Sequence, residues 1–78
     1  LLWAALQVGF DFKKISTSLL QRKLSIGYGK AAKILDALED QGYISAPDGS
    51  KPREILISYE EFKEMMARGV HEQTNGNF

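Results

Sequence analysis

The chain has no cysteine, one histidine, one tryptophan and two prolines in 78 residues, and its formal net charge is zero. Without cysteine there is no disulfide framework and no thiolate metal site. Its longest uncharged stretch, Leu1–Phe10, is half of the ~20 apolar residues that a membrane-spanning helix needs. That stretch also lacks the basic flank of a signal peptide. No membrane contact is expected, and the expected setting is cytoplasmic, which leaves room for a membrane anchor elsewhere in a longer parent. The start at Leu1 rather than methionine suggests such a parent. No phosphate loop of the G-x-x-x-x-G-K-[ST] type is present; Gly27-Tyr28-Gly29-Lys30 has the wrong spacing. The single histidine, His71, has no partner nearby in sequence. Glu60, Glu61 and Glu64 read as a solvated helix face, not a metal site. Enzyme chemistry is therefore not expected, nor is any cofactor or metal.

What is present is enough hydrophobic content, 44%, for one small core. The charge is also sorted. Six basic residues fall between Phe12 and Leu35 (Lys13, Lys14, Arg22, Lys23, Lys30 and Lys33) with no acid among them. The acids sit later, among them Asp36, Glu39, Asp40, Glu54, Glu60, Glu61 and Glu64. Such sorting makes a positive region despite the neutral sum. Chance clustering on a solvated surface is the plainer explanation, and charge alone does not choose between the two.

Leu1–Leu6 is a dense run of good helix formers and predicts a first helix. It ends at Gly9 or continues to about Lys13. Trp3, Phe10 and Phe12 are expected to pack inward. Ser16, Thr17 and Ser18 offer side-chain caps for a short second helix reaching Leu24, and Ser18 with Gln21 has capping-box spacing. Gly27 is expected to take the sharp turn that follows. A third helix is expected over residues 28–41, with Tyr28, Ala31, Leu35 and Leu38 on its apolar stripe and Gly42 closing it. Gly29, Lys30, Lys33 and Ala37 fall on the opposite face.

Tyr43–Ser45 and Arg53–Ile57 read as two strands joined by a seven-residue tip rich in turn residues, Ala46–Pro52. Ser58 and Glu61 open a last helix in which Tyr59, Phe62 and Met66 share a face, ended by Gly69. Val70–Phe78 reads as a frayed tail. The expected fold class is α+β: a winged helix-turn-helix, with a three-helix core, a two-stranded β-hairpin wing and a C-terminal helix. Residues 1–69 form the domain and 70–78 the tail.

That element order predicts binding of double-stranded DNA, with the third helix in the major groove and the wing, residues 46–53, on the backbone. Lys30 and Lys33 are the candidate base contacts; the alternative is two solubilising lysines. Among Gln21, Arg22 and Lys23, Arg22 is favoured as a phosphate contact, because arginine presents a fork of donors; the alternative is a surface ion pair. Ser16, Ser18 and the free N–H groups of the second helix are candidate phosphate holders. Tyr28 is expected to pack its ring inward, its hydroxyl reaching a phosphate from the edge. Lys51 and Arg53 either contact DNA, pair with Glu54 or simply solvate the tip.

The run Ile15-Ser16-Thr17-Ser18-Leu19-Leu20-Gln21-Arg22-Lys23, the stretches Ile26-Gly27-Tyr28 and Ala31-Ala32-Lys33-Ile34, and Gly49-Ser50-Lys51-Pro52-Arg53-Glu54 carry a family likeness. Together they resemble the C-terminal gamma domain of FtsK/SpoIIIE-type DNA translocases, over roughly residues 13–58. The resemblance implies a winged helix that reads short, skewed, G-rich chromosomal sequences to orient a DNA motor. It also implies several copies side by side on DNA, and a site-specific recombinase as a partner. The family often has a polar residue and then arginine after Gly-Tyr, and a second arginine after the two alanines. Here Gly29, Lys30 and Lys33 stand there, and lysine lacks arginine's two-pronged grip on guanine. Two other readings use the same fold. One is a transcription regulator dimerising through the last helix, Tyr59–Arg68; the other is a protein-docking module using the surface around Glu60, Glu61, Met65 and Met66.

Overall fold

A computed structural model describes residues 2–68. Gly69 and the segment 70–78, where a helix stop and a tail were expected, lie outside the described residues. Four helices follow in order: α1 (Leu2–Phe12), α2 (Thr17–Leu24), α3 (Tyr28–Asp40) and α4 (Tyr59–Ala67). No helix among the described residues is long and apolar enough to cross a membrane.

α1 passes straight through Gly9 and stops at Lys13, whose left-handed φ of 61° breaks the ladder. Gly9 lies close to a neighbouring side chain: a Cβ at this position would meet Ile55 Cδ1 at 2.8 Å, so that side-chain end would have to turn aside. Ser16 caps α2, its Oγ accepting from the Leu19 N–H at 3.1 Å. The sharp turn after α2 falls on Ser25 (φ 55°, ψ 47°), not on Gly27. Gly27 is extended (φ −80°, ψ 171°) and serves as the N-cap of α3, a conformation open to any residue.

α3 closes as its glycine suggests. Gly42 has φ +82°, its N–H donates to the Glu39 carbonyl at 2.9 Å, and the Tyr43 N–H donates to the Leu38 carbonyl at 3.0 Å. That pair of bonds is a Schellman motif, which satisfies carbonyls the helix end would leave bare. α4 opens with the full capping box: the Glu61 N–H donates to Ser58 Oγ, and the Ser58 N–H donates to Glu61 Oε1.

The core joins α1, α2 and α3 through Leu6, Leu20, Ile34 and Leu38, all fully buried, and Ile15 and Ile44 seal it from the connecting segments. α4 is held on by aromatic contacts. Phe62 lies 5.9 Å from Trp3 and 5.2 Å from Phe10, centroid to centroid. Met65 turns inward instead of Met66, with the Tyr43 hydroxyl 3.8 Å from its sulfur. Met66 and Tyr59 are about half exposed, so the buried stripe of α4 is narrower than its sequence pattern.

Two aromatic expectations are corrected. Phe12 is 44% exposed, because the helix ends there and projects past the core; the Lys23 ammonium sits 4.8 Å from its ring centroid. Tyr28 is 67% exposed. It occupies the first position of α3, where the stripe has run beyond the body it packs on.

The segment from Tyr43 to Ile57 folds back on itself with little regular strand. It makes isolated antiparallel bridges: Ile44 with Ile55, Asp48 with Lys51 at the tip, and Arg53 with Ile15. The Ser45 N–H donates to the Glu54 carbonyl and the Leu56 N–H to the Tyr43 carbonyl. Ser45 Oγ accepts from the Glu54 N–H, in place of a second backbone rung.

Candidate nucleic-acid interface

Three parts of the chain converge on one open groove of about 390 Å³. The start of α2 contributes Ser16, Thr17, Ser18 and Gln21. α3 contributes Tyr28 and Leu35, and the folded-back segment contributes Pro47, Lys51 and Arg53. The convergence has a backbone cause. Ile15 and Arg53 bond each other in both directions, which lays the returning chain beside the residue that precedes the α2 cap.

Of the residues singled out from the sequence, Ser16, Ser18, Gln21, Tyr28, Lys51 and Arg53 line this groove. Arg22, Lys23, Gly29, Lys30 and Lys33 do not line it, but all five are exposed on α2 and α3. The basic run is subdivided by its surroundings. Lys13 and Lys14 line a different hollow, with Phe10, Pro52 and Ile55. Lys23 is drawn over Phe12. Arg22, Lys30 and Lys33 have no ion-pair partner among the described residues.

The Ser16 hydroxyl is engaged as a cap, so the neighbouring N–H groups of α2 are what it leaves for an anion. A Cβ at Gly29 would meet nothing within 4 Å, so that position is open on the outer face of α3. Farther along the same helix Asp36 and Asp40 are exposed. α3 is thus cationic at its start and anionic at its end.

The two groove cations on the folded-back segment differ. Lys51 is a tip residue, 76% exposed, with a loose 3.8 Å pairing to Asp48. The Arg53 side chain is only 13% exposed, and its Nη1 donates to Glu39 Oε1 and to the Ser45 carbonyl, each at 3.2 Å. Its partner is Glu39 on α3 rather than the neighbouring Glu54. Nothing in the sequence marks Glu39 for this role; it reads as one more acid on the outer part of a helix. Among the described residues no group of three or more His, Cys, Asp or Glu side chains could hold a metal ion.

Comparison with known families decides what this arrangement belongs to. The FtsK gamma domain pattern matches residues 1–58. The chain belongs to the FtsK gamma domain family, a family of small DNA-binding domains. It is 56% identical over 61 residues to a DNA translocase FtsK of Clostridium acetobutylicum, 78% of this chain and 8% of that protein. It is 48% identical over 68 residues to a DNA translocase FtsK of Caldanaerobacter subterraneus, 87% of this chain and 10% of that protein. Against the DNA translocase SpoIIIE of Bacillus subtilis the identity is 41% over 61 residues, again 78% of this chain and 8% of the other. The chain therefore spans about a tenth or less of the length of these relatives. No solved structure matches it. The gamma match begins at residue 1, so α1, outside the motifs that carried the resemblance, belongs to the family region as well.

Proposed function

We propose that this domain binds double-stranded DNA with a sequence preference, as a winged helix whose wing is the segment 46–53. α3 enters the major groove by its first turns, and the wing lies along the backbone. The observation that carries this reading is the polarity of α3 beside the α2 groove. Unpaired, exposed Lys30 and Lys33 stand at its start, whereas Asp36 and Asp40 stand at its end. A helix so charged avoids phosphate repulsion only if its N-terminal turns face the DNA, which is how helix-turn-helix proteins dock. The major groove, about 12 Å wide, admits one helix.

In this reading Lys30 and Lys33 approach base edges. Arg22, Lys51 and the N–H groups at the start of α2 hold phosphates, and Tyr28 and Gln21 reach the backbone from the groove wall. Ser18, exposed on the first turn of α2, adds a hydroxyl donor. Lys23 shares its charge between Phe12 and the solvent and is a weaker contact. Gly29 contributes no side chain, so the base preference rests on two lysines. A domain this small binds weakly alone, and several copies side by side on one site would supply the affinity. In a longer parent resembling the translocases, a skewed site would give the motor its direction, and a site-specific recombinase is the partner the family suggests.

The test is selection from random duplexes, followed by titration of the selected sequence at two salt concentrations. Enrichment of a skewed, G-rich, non-palindromic sequence, with affinity falling as salt rises, is the expected result. Failure to enrich any sequence removes the preference, and failure to bind any duplex removes the function.

A further inference from the structure

We infer that Arg53 is a positioning residue, tied to Glu39, that sets the wing against α3 rather than a cation that grips DNA. This rests on the DNA-binding reading above and assigns one of its groove residues a different task.

Arg53 is a junction of three parts of the chain. Its backbone N–H donates to the Ile15 carbonyl at 2.8 Å, and its carbonyl accepts from the Ile15 N–H at 3.3 Å. Its guanidinium donates to Glu39 Oε1 on α3 and to the Ser45 carbonyl on the outgoing half of the folded-back segment. One residue therefore ties the segment's two halves to each other, to the lead-in of α2 and to α3. The segment needs such a tie, since its pairing consists of isolated bridges rather than a continuous ladder.

The charge state of the junction argues the same way. A guanidinium 3.2 Å from a carboxylate has its charge largely matched locally. With its side chain 13% exposed, it has little surface left for a phosphate. The planar fork of arginine can serve a carboxylate and a carbonyl together, which lysine, a single point charge on a flexible stem, does poorly.

The two roles predict opposite results for Glu39. If Arg53 grips phosphate, removing Glu39 frees a cation and removes an anion near DNA, so Glu39→Ala binds as well or more tightly. If Arg53 positions the wing, Glu39→Ala loosens it and binding weakens. The experiment uses the full chain and Glu39→Ala, Arg53→Lys, Arg53→Ala and the double variant Glu39→Ala/Arg53→Ala. Each is titrated with the selected duplex at several salt concentrations, and amide exchange is read at Ser45, Lys51 and Leu56 without DNA.

Expected are faster exchange at these amides in all four variants and a roughly three- to tenfold loss of affinity in each single variant. The double variant should lose no more than the worse single one, as partners in one interaction do. The slope of log affinity against log salt should stay at the parent value, since loss of a phosphate contact lowers it by about 0.9. Tighter binding by Glu39→Ala, full retention by Arg53→Lys, or a slope lowered by that amount in Arg53→Ala would each overturn the inference. Unchanged exchange would overturn it too, and that readout stands even if the parent binds no duplex, an outcome that sinks the DNA reading instead.

Discussion

Ile15 and Arg53 form a reciprocal backbone pair, with N–H to carbonyl distances of 3.3 Å and 2.8 Å. Ile15 is fully buried and stands immediately before the Ser16 cap of α2. The pair thus couples a core residue to the turn-rich loop beyond α3. Through it, the N–H groups of α2 and the tip cation Lys51 come to share one groove.

Lys30 and Lys33 are expected to carry the sequence preference. Replacing either with alanine should weaken binding to the selected duplex by about 1–3 kcal/mol and narrow the gap to random duplex. Arg22→Ala should weaken both duplexes about equally, because phosphate contacts bear no sequence information. Parallel competition titrations check this; parent-like behaviour of all three variants would show that the contacts lie elsewhere.

Ser16 and Ser18 should separate stability from binding. Ser16→Ala removes the cap on the Leu19 N–H and should cost about 0.5–2 kcal/mol of stability. Ser18, exposed on the first turn of α2, should change stability by less than about 0.5 kcal/mol on conversion to alanine. Thermal or denaturant melts of the two variants, run beside DNA titrations, provide the comparison. Equal stability losses would mean that α2 has no single cap.

Gly9 packs closely against Ile55. Gly9→Ala places a methyl 2.8 Å from Ile55 Cδ1, the far end of a side chain that can turn aside, so its cost should not exceed the low end of the about 1–3 kcal/mol typical of overpacking. Ile55→Val deletes the clashing Cδ1, so the double variant should recover part of the loss. Denaturant midpoints of the two single variants and the double variant measure it. Additive losses would show that the contact is not the cause.

Gly29 offers the converse test. A side chain there meets nothing within 4 Å, so Gly29→Ala should raise stability by about 0.5–1 kcal/mol through reduced backbone freedom in the unfolded chain. Gly29→Arg should also tighten DNA binding and steepen the salt slope by about 0.9 if it reaches a phosphate. A Gly29→Arg variant that melts like its parent but binds no more tightly would place the outer face of α3 away from the DNA.

The local part of this fold was legible in the residues because its causes are local. Hydroxyl caps, the glycine after α3 and the spacing of Ala31, Leu35 and Leu38 act within a few residues, and helices follow from them. Even so, the stretch Ser16-Thr17-Ser18 offered three caps, and only the structure chose Ser16. Ser25 rather than Gly27 took the left-handed turn, because glycine permits such a conformation without requiring it. The aromatic positions went astray at element ends. A stripe continues to Tyr28 on paper, whereas the body that would bury it ends first, and Phe12 likewise runs past the core.

The motifs running from Ile15 to Glu54 carried the family resemblance, which the match over residues 1–58 then established, whereas the sorted charge by itself did not separate a binding face from a solvated one. Tertiary structure alone decided how those charges are used. Lys23 is spent on Phe12, Lys13 and Lys14 line another hollow, and Arg53 is tied to Glu39. None of these pairings has a signature in sequence, because side-chain electrostatics depend on distances of a few ångströms between residues that the chain keeps far apart.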